Sequence, residues 1–185
     1  LDLYKQLEQY INTIAETTSK QTEINKELSI AKDIQASLIP NLNNLSIETL
    51  SINGFIEQGK TIGCDFYDVI EKNNKTFIII GDVAGKGLPA ALLMNTTINS
   101  LRSGISYLDN PTEIIGNLNQ QLCINNTTNT FVTLFMGIID SENGTIEYIN
   151  AGHPSAIIKS DTIAPLESTN GIACGINEHA FYISK

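Results

Sequence analysis

Two aspartates stand where their carboxylates can act together. Asp65 lies in Gly63-Cys64-Asp65-Phe66-Tyr67-Asp68 at the start of one β-type run, and Asp82 lies in Gly81-Asp82-Val83-Ala84-Gly85-Lys86-Gly87 at the end of the next. The runs Phe66–Lys72 and Thr76–Val83 flank Asn73-Asn74, which reads as a tight turn because asparagine tolerates left-handed backbone. Antiparallel pairing puts the start of the first run beside the end of the second, so Asp65 and Asp82 are predicted at the same end of a hairpin. Two hard anionic oxygens held there suit Mg2+ or Mn2+, which prefer carboxylate, carbonyl and water ligands. The neighbouring glycines let backbone come close to a metal or a phosphate. Spacing alone leaves the ordinary alternative open, since aspartates at strand ends near glycine are common turn chemistry.

The glycine loop admits other chemistry. A phosphate-binding P-loop fails twice: three residues, not four, separate Gly81 from Gly85, and Gly87 rather than Ser or Thr follows Lys86. Gly85, Gly87 and Ala90 do fit G-x-G-x-x-A between a strand and a helix, with Asp109 about 20 residues on, so a dinucleotide-binding oxidoreductase is a weaker alternative. Against it, Asp109 falls in a predicted loop, and Asp82 sets a negative charge where a pyrophosphate would lie. His153, in Ala151-Gly152-His153-Pro154 directly after a strand, is a further candidate, as general acid, phosphate contact or plain turn residue. No Gly-x-Ser-x-Gly elbow is present, and no cysteine has a convincing histidine partner, so nucleophilic hydrolase chemistry has no support.

The elements that must position these residues fall into a rod and a globule. From Leu3 to Leu38 apolar residues recur at alternating steps of four and three (Leu3, Leu7, Tyr10, Ile14, then Ile24, Leu28), the seam of a coiled coil over about five heptads. Pro40 stops it. The alternative is one long amphipathic helix packed on its own domain. Beyond Pro40 the pattern predicts a strand over Leu45–Ile56 and the hairpin, then helices over Leu88–Ile105 and Thr112–Ile124. Strands over Phe131–Ile139, Thr145–Asn150 and Ala156–Lys159 follow, then loop to a short strand at Phe181–Ser184. Strands, two helices and strands again point to an α+β or layered sandwich rather than an alternating parallel sheet.

Composition narrows the classes. The 185 residues carry 11 basic and 20 acidic side chains, a formal charge of −9, and Arg102 is the only arginine. Phosphate neutralisation needs clustered Lys and Arg, so a nucleic-acid partner is not expected. No apolar run approaches the roughly 20 residues of a membrane span. Three scattered cysteines without a CxxC pair argue against a disulfide framework or structural zinc, and make the cytoplasm the simplest compartment. Leu1 in place of Met leads us to expect further chain upstream.

Taken in order, five stretches resemble the SpoIIE/RsbU branch of the PPM (protein phosphatase 2C-like) metal-dependent serine/threonine phosphatases. They are Ala31-Lys32-Asp33-Ile34-Gln35-Ala36-Ser37-Leu38-Ile39-Pro40, Gly63 to Asp68, Gly81 to Leu92, Phe131-Val132-Thr133-Leu134-Phe135 and Asn150-Ala151-Gly152-His153-Pro154. The resemblance implies an α-β-β-α sandwich of two antiparallel sheets flanked by helices, behind a long N-terminal coiled-coil helix. It also implies two Mn2+ or Mg2+ ions, with Asp65 and Asp82 as ligands and Val83 contributing its carbonyl. Those ions would prepare a water for in-line attack on phosphorus, with no phospho-enzyme.

The same resemblance implies a phosphorylated regulatory partner of the anti-sigma-factor-antagonist type, and homodimerisation through a switch helix coupled to an upstream sensor. The expected division is a linker and switch helix over 1–39 and a phosphatase domain over 40–185. The expected setting is cytoplasmic, free or as the cytoplasmic part of a membrane-anchored sensor. Two departures stand out. Cys64 occupies a place where glycine is common, and the chain stops at Lys185, before the family's Thr-Asp-Gly-like stretch and Asp-Asp pair. The expectation is therefore either an excerpt of a longer enzyme or a catalytically incomplete signalling and dimerisation module.

Overall fold

A computed structural model describes residues 2–43, 45–47, 50–57, 62–124, 126 and 130–185. The chain divides into two compact units, Leu1–Ser37 and Leu38–Lys185. The first is a single helix, α1 (Asp2–Ala36). Thr13, Thr17 and Thr22 each turn their hydroxyl back to the carbonyl four residues earlier, so the polar middle of the helix satisfies itself locally. Leu3, Leu7, Tyr10, Ile14, Ile24 and Leu28 along the predicted seam are all exposed. The helix ends before Pro40, with the Ser37 hydroxyl and amide both donating to the Ile34 carbonyl.

The second unit is built on a four-stranded antiparallel sheet in sequential order. Its strands are β3 (Asp65–Lys72), β4 (Lys75–Val83), β5 (Val132–Asp140) and β6 (Thr145–Ala151). Between β4 and β5 come α2 (Leu88–Tyr107) and α3 (Pro111–Cys123). Both helices open on a proline in the first turn, where a missing N–H costs nothing, and the Asn110 side chain caps α3 by accepting from the Thr112 amide. Alternation decides which face of the sheet is apolar. Phe77, Ile79 and Val83 of β4 and Val132, Leu134 and Met136 of β5 are buried in one cluster with Met94, Ile98, Leu101, Ile114 and Leu118 of the two helices. The opposite face is mixed: it carries Asp82, the 46 % exposed Ile80 and a Phe135–Tyr148 stack with ring centres 5.9 Å apart.

The expectation of an α+β fold with antiparallel sheets behind a long helix is met. Three local expectations change. The single strand expected over Leu45–Ile56 is a hairpin of β1 (Leu45–Ile47) and β2 (Leu50–Ile52), with Ile47 paired to Leu50; residues 48–49 lie outside the described residues. The stretch after Asp161 is not all loop, because β7 (Ile157–Lys159) pairs with β8 (Ile163–Pro165). No regular strand forms at Phe181–Ser184. Instead Lys185 alone exchanges backbone hydrogen bonds with Tyr148, at 2.8 and 3.0 Å. The dinucleotide alternative also loses its scaffold, since every strand pair in the sheet is antiparallel, whereas that motif requires a parallel crossover. Asp109 is engaged by Lys72 at 2.9 Å.

Asn119 holds the C-terminal segment to the core. It is fully buried, accepts from the Gly175 amide at 2.9 Å and donates to the Asn177 carbonyl at 2.8 Å. Cys174 exchanges both backbone bonds with Val132 (2.8 and 2.9 Å), extending the ladder past the end of β6.

Candidate functional site

The hairpin turn fixes the site. Asn73 and Asn74 take positive φ values of 51° and 60°, the twist that joins antiparallel strands without splaying them. Counting back from that turn, Asp65 comes opposite Asp82, and Asp82 comes opposite Thr133 on β5. The three side chains therefore form one row across three strands on the face away from α2 and α3. Gly81 locks the row. A Cβ there would stand 2.4 Å from the Phe66 ring and 3.1 Å from the Thr133 carbonyl, so only glycine lets the ring lie over the strand beside Asp82.

Beyond the paired residues the ladder continues through irregular backbone: the Val83 amide donates to the Cys64 carbonyl at 3.2 Å and the Ala84 amide to the Phe131 carbonyl at 2.8 Å. The Val83 side chain is buried in the core, which leaves its backbone as its contribution to this end of the sheet. Gly85 and Gly87 carry the chain into α2 at positive φ of 112° and 76°. The Gly87 carbonyl accepts from the Ala91 amide, and the Gly85 carbonyl accepts from the Cys64 thiol at 3.6 Å. Cys64, Asp65 and Asp82 place their ligand atoms all within 4.8 Å of one another, the one cluster of this kind among the described residues.

Electrostatics mark the same place. Partial burial, then a hydrogen bond and the negative charge of Asp65, push the Asp82 carboxyl above its ordinary value, as expected when two carboxylates share a site. Burial, followed by the charges of Asp65 and Asp82, raises the Cys64 thiol. Holding both aspartates ionised thus carries an electrostatic cost that a divalent cation would remove.

His153 joins the site through Thr133. Its Nδ1 lies 3.0 Å from Thr133 Oγ1, and that hydroxyl reaches the Asp82 carbonyl at 3.4 Å. The two bonds are compatible when Nδ1 carries the proton and donates to Thr133. Asn150 clamps the His153 backbone at both ends, accepting from its amide at 2.7 Å and donating to its carbonyl at 2.8 Å. Gly152, at φ 72°, passes so close to the Ala173 amide that a Cβ would lie 2.8 Å from it. Burial lowers the His153 pKa, against an opposing pull from Asp65. Thr133 is the part that sequence reasoning did not single out, and Cys64 stood out there only as a departure from glycine, not as a site residue; the signal for Thr133 was a polar residue inside the apolar run Phe131–Phe135. His179 plays no part here. It is exposed and sits 3.3 Å from Glu178.

In fold, this four-stranded antiparallel sheet backed by two helices is similar to PP2C-type phosphatase domains. The SiaA-PP2C domain of Pseudomonas aeruginosa matches it with a TM-score of 0.68 at 19% identity, over 90% of this chain and 67% of that one. The RsbU and RsbW domains of Rv1364c from Mycobacterium tuberculosis match with a TM-score of 0.60 at 23% identity, over 70% and 37%. The PP2C phosphatase domain of SpoIIE from Bacillus subtilis matches with a TM-score of 0.56 at 25% identity, over 66% and 37%.

The family model described as Stage II sporulation protein E (SpoIIE) matches residues 72–185, and the chain belongs to that family. In sequence it is similar to phosphoserine phosphatase RsbU of Bacillus subtilis strain 168, 28% identical over 169 residues, 88% of this chain and 49% of the relative. It is also similar to protein IcfG of Synechocystis, 30% identical over 179 residues, 81% of this chain and 28% of the relative. The chain thus spans about half, or less, of the length of these relatives.

Proposed function

We propose that the protein containing this chain is a Mn2+- or Mg2+-dependent phosphatase that hydrolyses phosphoserine or phosphothreonine on a regulatory partner protein. The observation that carries this is the convergence of Asp65 and Asp82, made in a member of the SpoIIE family. The donor set fits the cation: two carboxylate oxygens supply the hard anionic ligands such ions prefer, and their mutual repulsion is relieved by a double positive charge. The carbonyl of Val83 is the third ligand in this proposal, and a second ion would need carboxylates beyond this pair. Divalent cations held there by Asp65 and Asp82 would supply charge neutralisation for the phosphate and would acidify water for attack.

The protein's own residues do the rest. Asp65 and Asp82 fix where the phosphate can approach, and Gly81 and Phe66 keep Asp82 in register. The Thr133–His153 pair braces the strand behind Asp82. The glycine loop at Gly85 and Gly87 leaves that approach clear of side chains.

The finer proposals are that the partner is an anti-sigma-factor antagonist, that residues 1–39 act as a switch and linker to an upstream sensor, and that residues 40–185 form the phosphatase body. The relative named phosphoserine phosphatase RsbU supports the phosphoserine chemistry. The exposed apolar seam of α1 supports homodimerisation through that helix. A cytoplasmic location belongs to the same proposal.

The test is Mn2+-dependent release of phosphate from a phosphoserine peptide by the full-length protein. Asp82→Asn should lower kcat/KM by about a thousandfold, several kcal/mol of transition-state stabilisation. Undiminished activity in that variant removes Asp82 from the mechanism. A folded wild type that binds the partner with no hydrolysis in Mn2+ or Mg2+ would favour the signalling-module alternative.

A further inference from the structure

Three cysteines occupy different surroundings. Cys174 is fully buried beside Tyr182, and Cys123 lies along α3 with its sulfur 3.9 Å from Asn119 Oδ1. Cys64 alone stands with two carboxylates, its Sγ within 4.8 Å of an oxygen of both Asp65 and Asp82. Its backbone is pinned, because its carbonyl accepts from the Val83 amide at 3.2 Å. Its thiol donates over a long 3.6 Å contact to the Gly85 carbonyl, a weak bond that a metal–sulfur bond would readily replace, and a backbone hydrogen bond at Asp65 favours its thiolate form. An oxygen-only site is hard, and Mg2+ and Mn2+ suit it; one thiolate among the donors changes that preference toward softer cations.

We propose that Cys64 is a further ligand at the Asp65–Asp82 site, and that this sulfur makes the site favour thiophilic divalent cations such as Zn2+, Co2+ and Cd2+ over Mg2+. The proposal rests on the assignment of Asp65 and Asp82 as metal ligands. On binding, the thiol proton passes to solvent and one sulfur–metal bond forms, with no change of oxidation state. Mg2+ uses the carboxylates and leaves the thiol on Gly85, so the same pocket discriminates between cations by whether sulfur is engaged. Zinc then competes with the hydrolytic cation at the site itself.

The experiment titrates the metal-free full-length protein with Co2+, Cd2+ and Mn2+, following near-ultraviolet absorption and heat. Wild type should develop a sulfur-to-metal charge-transfer band with Co2+ and Cd2+. Cys64→Ser, close in shape at a half-buried position, should lose the band and about tenfold or more in Cd2+ affinity while Mn2+ affinity stays within about threefold. Cys64→Ala should behave alike, and Cys123→Ser should keep the band. Asp82→Asn should lose Mn2+ binding and weaken Cd2+.

A wild type that binds Mn2+ and Cd2+ without the band, or a Cys64→Ser variant with unchanged Cd2+ affinity, overturns the role of Cys64 and leaves the carboxylate site standing. A folded wild type that takes up none of these cations overturns both.

Discussion

Asp65 and Asp68 stand three residues apart on β3, on opposite faces of the sheet. Asp68 is 4 % exposed, turned toward the helices, and its Oδ2 receives Arg102 Nε at 2.7 Å while its Oδ1 accepts the Val69 amide at 3.0 Å. Arg102 also donates to the Leu38 carbonyl at 2.8 Å. Asp65 is exposed and faces a second carboxylate, Asp82. A buried charge is tolerated only when paired and hydrogen-bonded, and the sole arginine of the chain is spent on Asp68. The contrast teaches how to sort acids in one motif: the one neutralised from within holds the fold, and the pair that has no ion-pair partner among the described residues is where the proposed cation would bind.

Breaking the Asp68 side of this contrast should cost the most stability. Arg102→Met leaves a buried carboxylate without its partner and should destabilise the protein by roughly 3 kcal/mol, read from urea unfolding. A change near zero would mean that solvent reaches Asp68 in the folded state.

The Asp65–Asp82 side should respond with the opposite sign and a smaller size. The Asp82 carboxyl titrates above its ordinary value of 3.8 in the folded state. Between the unfolded and folded values the native protein therefore holds more protons than the unfolded chain. Without metal, stability falls as pH rises through that window and stays lower above it. Asp82→Asn should remove this fall and, in chelator at neutral pH, be as stable as wild type or slightly more so. The site is partly exposed, so screening holds the gain below about 1 kcal/mol. Thermal melts from pH 3.5 to 7 (about the span of carboxylate titration) would show it. A variant clearly less stable than wild type in chelator would mean that the Asp82 charge supports the fold.

Much of the site was legible because it is local. The turn at Asn73-Asn74 sets the hairpin register, and the register alone brings Asp65 to Asp82. The helices and most strand limits followed from apolar periodicity and the prolines at Pro89 and Pro111. The hairpin β1–β2 was missed because Leu45, Ile47, Leu50 and Ile52 keep an almost strand-like alternation; the three-residue step from Ile47 to Leu50 was the only sign of a turn. Strand β7 was expected, but its partner β8 was missed because its residues are all exposed, so no burial pattern marks it. The links from Asp82 through Thr133 to His153 and from Cys64 to Gly85 span 20 or more residues, and pairing at that range comes from tertiary packing rather than local pattern. The role of Asp68 was likewise hidden, since only the position of Arg102 on α2 reveals it.

The central claim, that Asp65 and Asp82 together hold a divalent cation, is tested most directly by calorimetric titration of the metal-free full-length protein with Mn2+ beside an Asp65→Asn/Asp82→Asn double variant. The account predicts saturable binding by wild type and an affinity lower by about a hundredfold or more, close to 3 kcal/mol, in a double variant that remains folded. Equal binding by the two proteins, or none by a folded wild type, would contradict it.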